Sequence, residues 1–206
     1  MNKLLILCFI TIALSATLDL ENARAQILTR HNYYRAQHQV GDLVRLPAIE
    51  KIAQNYSEYL ASIGKMEHSK NKYNGKSLGE NLYYGYLSSN IGINTVEKWY
   101  SEESAYDYNN PGYKKGIGHF TQLLWKNSEN LGCNVGCKSN NYCYVTCNYY
   151  PAGNNINSFP SNVFPKVETT TSDEINSDTT EEEPKSDTTK EDPLIQIVNW
   201  KSLEMK

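Results

Sequence analysis

Gly118-His119-Phe120-Thr121-Gln122-Leu123-Leu124-Trp125 and Tyr144-Val145-Thr146-Cys147-Asn148-Tyr149-Tyr150-Pro151-Ala152-Gly153-Asn154 are the two stretches on which the fold turns. In the first, Phe120 to Trp125 reads as a short helix, following a break in the chain at Pro111-Gly112. The second lies on a strand from Tyr142 to Tyr150, rich in tyrosine, valine and threonine. Leu131 to Val135 is its predicted partner, across a Ser139-Asn140-Asn141 turn.

Upstream, helical spacing dominates. Ala23 to Val40 reads as a helix with Ala23, Ile27, Tyr34 and His38 broadly on one side. Ile49, Ile52, Ala53, Tyr56, Leu60 and Ile63 recur at three- and four-residue steps up to Gly64, which ends the stripe. Asn81 to Tyr86 reads as a short strand. A third helix, capped at Asn94 or Thr95, runs through Val96, Trp99 and Tyr100. Helices come first and last around a few antiparallel strands, so the fold class is α+β with a helix–sheet–helix stack.

The 206 residues suffice for one domain, and a hydrophobic fraction of 39% fits a globular chain with a real core. Sixteen tyrosines stand against four phenylalanines and three tryptophans, which suits grooves and core boundaries where a ring is buried and a hydroxyl needs a partner. Asn2-Lys3, the apolar run Leu4 to Leu14 and the small residues around Ser15 read as an export signal over residues 1–16. The run is too short for a confident membrane span. Cys8 falls within it, leaving Cys133, Cys137, Cys143 and Cys147, an even set in an exported chain. Their Cys-x3-Cys-x5-Cys-x3-Cys spacing is unlike a zinc ribbon, so two disulfides are expected. Beyond Asn154 the character changes. Lys166 to Pro193 carries ten Asp/Glu and three Lys, a net charge of −7, against −3 for the whole chain. Residues 155–206 therefore read as an acidic, Thr/Ser-rich, disordered tail on a mildly basic body.

The two opening stretches resemble the two signatures of the cysteine-rich secretory protein / antigen 5 / pathogenesis-related (CAP) superfamily, position by position. His31-Asn32-x-x-Arg35, His68-Ser69, Gly79-Glu80-Asn81, Trp99-Tyr100-Ser101-Glu102 and Asn110-Pro111-Gly112-Tyr113 add to the likeness, which spans residues 22–154. The resemblance, to venom-allergen-like secreted proteins among others, implies a three-layer α–β–α sandwich with a large cleft. It also implies that His68, Glu80, Glu102 and His119 form a cleft tetrad. Two imidazoles can bind a divalent metal, zinc or magnesium, while two carboxylates orient them or complete the shell; the alternative is a hydrogen-bonded network that braces the helices. No cofactor is required. The resemblance further implies pairing of Cys133 with Cys147 and of Cys137 with Cys143.

Tyr106-Asp107-Tyr108 followed by Tyr113 resembles the aromatic motif that the family associates with sterol binding. The expected function is thus a non-enzymatic secreted module for a sterol, fatty acid or other small lipid, in a cleft or loop site. An extracellular effector acting on a protein target is the second reading, and a metal-dependent hydrolase the third. No His-Glu-x-x-His motif or nucleophile elbow is present. Neither nucleic acid nor a membrane span is expected among its partners.

Overall fold

The computed structural model describes residues 18–139 and 141–167. The expected export signal over residues 1–16 and the acidic stretch beyond residue 167 lie outside the described residues. Helix α1 (Leu20–Gln37) starts at Asp19, whose side chain accepts the Asn22 N–H, and buries Ala23, Ile27, His31 and Tyr34. A two-residue strand, β1 (Val44–Arg45), leads into α2 (Pro47–Ile63). Proline opens α2, where a missing N–H costs nothing, and Gly64 closes it in the left-handed region at φ 66°. Next come the hairpin strands β2 (Lys72–Tyr73) and β3 (Lys76–Ser77), then β4 (Gly79–Tyr86). Helix α3 (Ile91–Tyr100) runs into a 3-10 turn at Ser101–Ala105. A long loop reaches α4 (Gly118–Leu124), and β5 (Asn130–Cys137) and β6 (Tyr142–Tyr150) follow.

The main sheet has the order β1-β5-β6-β4. Strands β5, β6 and β4 are antiparallel neighbours, and β1 adds in parallel to β5. Cys133–Cys147 and Cys137–Cys143 are disulfides, each joining residues directly opposite in the β5–β6 register. The pairing implied by the resemblance is the one observed.

Helix α2 packs on one face of the sheet. Gly132 and Gly136 make this possible. A Cβ on Gly132 would lie 2.3 Å from the Glu50 N, and one on Gly136 would lie 2.4 Å from the Ser57 O. The other face carries Leu131, Cys133 and Val135 into the main core with Ile27, Trp99 and Phe120, beneath α1, α3 and α4. Four helices and a small sheet thus make an α–β–α sandwich.

Three expectations need correction. The strands do not all fall between helices in chain order: the β5–β6 hairpin comes after α4, with only a 3-10 turn at Phe159–Ser161 beyond it among the described residues, and it supplies the centre of the sheet, so the last strands sit between earlier helices. Helix α3 begins at Ile91 rather than at Asn94 or Thr95. Thr95 is buried inside the helix, where its hydroxyl donates to the Ile91 carbonyl one turn back. The packed body also continues past Asn154, the expected end of the domain. Phe159 and Val163 enter the core, Asn162 binds Lys126 and Asn127, and the Val167 N–H reaches the Gln37 carbonyl.

Candidate functional site

The tetrad is assembled from four elements. His68 lies between α2 and β2, Glu80 is the second residue of β4, Glu102 sits in the 3-10 turn after α3, and His119 is the second residue of α4. The structure pairs them by twos. His68 Nδ1 meets Glu80 Oε1 at 2.8 Å, and His119 Nδ1 meets Glu102 Oε1 at 2.7 Å. With Nδ1–H donated to a carboxylate, each imidazole keeps its lone pair on Nε2.

Each carboxylate is itself held. Glu80 Oε1 also accepts the Ser69 N–H, and Oε2 accepts the Ser69 hydroxyl and a long bond of 3.4 Å from Asn148 Nδ2. Burial alone would raise the Glu80 carboxyl, but the bonds from His68 and Ser69 outweigh it and hold it below the usual carboxylate range. The same bond to Glu80 raises His68 above the ordinary imidazole value, against partial desolvation. Glu102 Oε2 takes the N–H groups of His119 (2.9 Å) and Phe120 (3.2 Å), so it caps α4 as well as orienting the ring.

His119 stacks on Trp99, with ring centroids 6.1 Å apart and planes 11° apart. Trp99 is fixed in turn by its indole N–H on the Leu82 carbonyl at 2.9 Å. Behind the site, Asn81 Nδ2 donates to the His119 carbonyl and to the Tyr149 hydroxyl, which also meets His31 Nε2 at 2.7 Å.

Two hollows meet at His68, Glu102 and His119. The larger, about 630 Å³, is walled mainly by Met66, Leu82, Tyr83, Tyr84 and Trp99, with Glu67 and Lys98 also on its lining. The smaller, about 240 Å³, is polar and takes in Glu80, Asn81, Tyr113 and Asn154. The sequence reading placed the histidines and carboxylates in one cleft but missed its apolar wall. Alternation along β4 was the available signal, since Leu82 and Tyr84 share one face of that strand.

The tyrosine triplet is not brought together as one wall. Tyr106, 8% exposed, packs on Phe120 and Tyr108 inside the main core. Tyr108 stacks near His38 and donates its hydroxyl to Glu103. Tyr113 is 62% exposed and borders the polar hollow. The four cysteines are all in disulfides and offer neither a zinc ligand nor a nucleophile. Among the described residues no group of three or more His, Cys, Asp or Glu side chains is placed to hold a metal. As placed here, the two glutamates are hydrogen-bond partners of the rings.

The profile of the Cysteine-rich secretory protein family (CAP) matches residues 28–149. The chain is 37% identical over 142 residues to the human Golgi-associated plant pathogenesis-related protein 1, covering 68% of this chain and 91% of that protein. It is 35% identical over 158 residues to the basic form of pathogenesis-related protein 1 of Nicotiana tabacum, covering 76% and 86%. It is 36% identical over 141 residues to the secreted protein RBT4 of Candida albicans, covering 66% of this chain and 36% of that protein. Among solved structures, that of NaASP2 with Zn2+ superposes with a TM-score of 0.55 at 27% identity, covering 72% of this chain and 87% of that one.

Proposed function

Since the chain belongs to the cysteine-rich secretory protein family, we propose that it is an extracellular binding module that holds a small amphipathic lipid, a sterol or fatty acid, in the cleft. The observation that carries this reading is the junction of an apolar hollow of about 630 Å³ with a polar one at the two histidines. A ligand's body would be buried against Met66, Leu82 and Trp99, and its polar end would meet imidazole Nε2 atoms. Apolar lining with a few placed polar groups is the usual make-up of small-molecule sites. The cleft supports the reading better than the tyrosine loop does, because Tyr106 and Tyr108 are spent on the core. Localisation outside the cell fits the apolar N-terminal run, the two disulfides and a relative named as secreted. Among the described residues no helix is long and apolar enough to cross a membrane.

The residues present fit a divalent metal only in part. His68 and His119 would hold it through Nε2, with water or ligand completing the shell, and imidazole favours zinc over magnesium. Such an ion would supply a Lewis-acidic anchor for a ligand's polar end. In this reading the chain binds and does not turn over its ligand. The Ser69 hydroxyl goes to Glu80 and not to an imidazole, so no serine–histidine pair is formed at the site.

The test is retention of labelled cholesterol or palmitate by the secreted protein through gel filtration, with and without chelator. Trp99 fluorescence should change on loading. Loss of retention in Met66→Glu, at unchanged fold, is the expected result; equal retention in that variant moves the ligand elsewhere. A second reading, binding to a protein target, is favoured by the exposed rings of Tyr59, Tyr84 and Tyr86, since exposed tyrosine is typical of interface hot spots. A parent that retains neither lipid would put this reading first.

A further inference from the structure

Beneath α2 the sheet carries a row of buried polar side chains that the cleft does not use. Because Gly132 and Gly136 press against α2, strand alternation puts Asn134, which lies between them, on the same face. Asn134 is directly opposite Thr146, and Gly132 is opposite Asn148, so all three polar side chains lie side by side under the helix. Each is fully buried. Among the described residues, Asn134 Nδ2, Thr146 Oγ1 and Asn148 Oδ1 have no hydrogen-bond partner.

The orientation of both amides is fixed by their other ends. Asn134 Oδ1 accepts the Val135 N–H at 2.8 Å, which leaves its NH2 as the unpartnered end. Asn148 Nδ2 donates to the Gly79 carbonyl and to Glu80 Oε2, both of which can only accept, which leaves its carbonyl oxygen as the unpartnered end. A donor, a hydroxyl and an acceptor therefore converge on one stretch of the face. Between its two close contacts the buried side chain that α2 presents is Ala53, a small one with no polar atom to offer. Three orphaned groups would each carry a desolvation penalty in a dry core, and buried polar groups of this kind are as a rule satisfied by water.

We propose that this row is an internal water site: one or two long-lived waters accept from Asn134, exchange a bond with the Thr146 hydroxyl and donate to Asn148. The waters join the core under α2 to the Asn148 amide that rests on Glu80, so the hydrogen-bonded line runs from the middle of the sheet to the cleft.

The test uses the full secreted protein, isotope-labelled, and water-selected nuclear Overhauser spectra. The Asn134 side-chain NH2 should show a cross peak of the sign given by a long-lived water. That peak should vanish in Thr146→Val and persist in Thr146→Ser, which keeps the hydroxyl. Absence of the peak in the parent overturns the proposal whatever the variants do. So does an atomic-resolution crystal structure in which Asn134 Nδ2 donates directly to Asn148 Oδ1 or Thr146 Oγ1.

Discussion

The interior along α1 and the floor of the cleft each hold two of the chain's four histidines, and the two regions use the same side chain in opposite ways. His31 and His38 are fully buried. Their partners are uncharged: the Ile27 carbonyl and Tyr149 hydroxyl for one, the Phe164 carbonyl and Tyr100 hydroxyl for the other. Burial is the main cause that pushes His31 down to about 3, and it lowers His38 as well. In the cleft, His68 is 64% exposed at its side chain and leans on Glu80, a carboxylate only 7% exposed. That bond raises its pKa. A core imidazole is thus a neutral hydrogen-bonding strut, while a cleft imidazole keeps a free, accessible nitrogen. The difference lies in the partner and in access to water.

The sharpest break between the regions is stability. His31→Leu takes away the ring nitrogen that meets the Tyr149 hydroxyl, leaving that buried hydroxyl only the bond it accepts from Asn81, and should cost about 3 kcal/mol in chemical denaturation. His68→Ala should cost less, about 1 kcal/mol, since the ring is exposed and Glu80 keeps both bonds from Ser69. Equal losses would erase the distinction. The aromatic loop divides the same way. Tyr106→Ser should cost about 2–3 kcal/mol through lost packing, whereas Tyr113→Ser should change the midpoint by less than about 0.5 kcal/mol.

Acid sharpens the contrast further. A group whose imidazole pKa is depressed by folding binds its proton more readily when unfolded. Stability is therefore lost as pH falls below the unfolded value near 6.5, and the loss for His31 is complete only at about 3. Within that window each such group contributes a slope of up to about 1.4 kcal/mol per pH unit. His68 runs the other way. Its stabilising contribution is full below about 6.5 and fades as pH rises through its raised folded value, so it does not drive acid unfolding. Urea denaturation at a series of pH values should show a steep decline from 6.5 to 4.5 in the parent and a flatter one in His31→Leu. An unchanged slope in that variant would mean that the buried ring is not the group responsible.

Much of this was legible before any coordinates. The apolar stripe from Ile49 to Leu60 marks α2, and Gly64 marks its end, because period and cap agree there. The β5–β6 pairing followed from two runs of β-forming residues around a turn. The tetrad came by resemblance, and the geometry adds that its members work as two pairs. Other features were not legible for physical reasons. Strand β1 is two residues long and is defined only by its neighbour β5, so no local pattern announces it. The β2–β3 hairpin was legible but overlooked: Asn74-Gly75 have φ of 48° and 75°, the conformation that this dipeptide favours in a tight hairpin turn. The burial of Phe159 depends on Trp125, and the segment after it is tied to the end of α1 by the Val167 N–H on the Gln37 carbonyl, partners that a local reading of a polar segment does not supply.

A smaller effect separates the histidines by metal affinity. Only a neutral imidazole has a lone pair to give, so zinc affinity measured by calorimetry should weaken as pH drops through roughly 6.5. Because Glu80 raises His68, the weakening should begin somewhat above that value. His119→Ala should abolish binding, and retained affinity in that variant would take the ion away from the cleft.

The central claim is that the ligand is held by the apolar hollow beside the two histidines and not by the tyrosine loop. The most direct measurement is the dissociation constant of labelled cholesterol and of palmitate for three folded proteins: the parent, Met66→Glu and Tyr113→Ser. A carboxylate in the apolar wall should weaken binding at least tenfold, about 1.4 kcal/mol, since it must be desolvated against the ligand's apolar body. Tyr113→Ser touches only the polar hollow and should change affinity by less than about threefold, under 0.7 kcal/mol. Unchanged affinity in Met66→Glu together with a large loss in Tyr113→Ser would contradict the account and return the site to the loop.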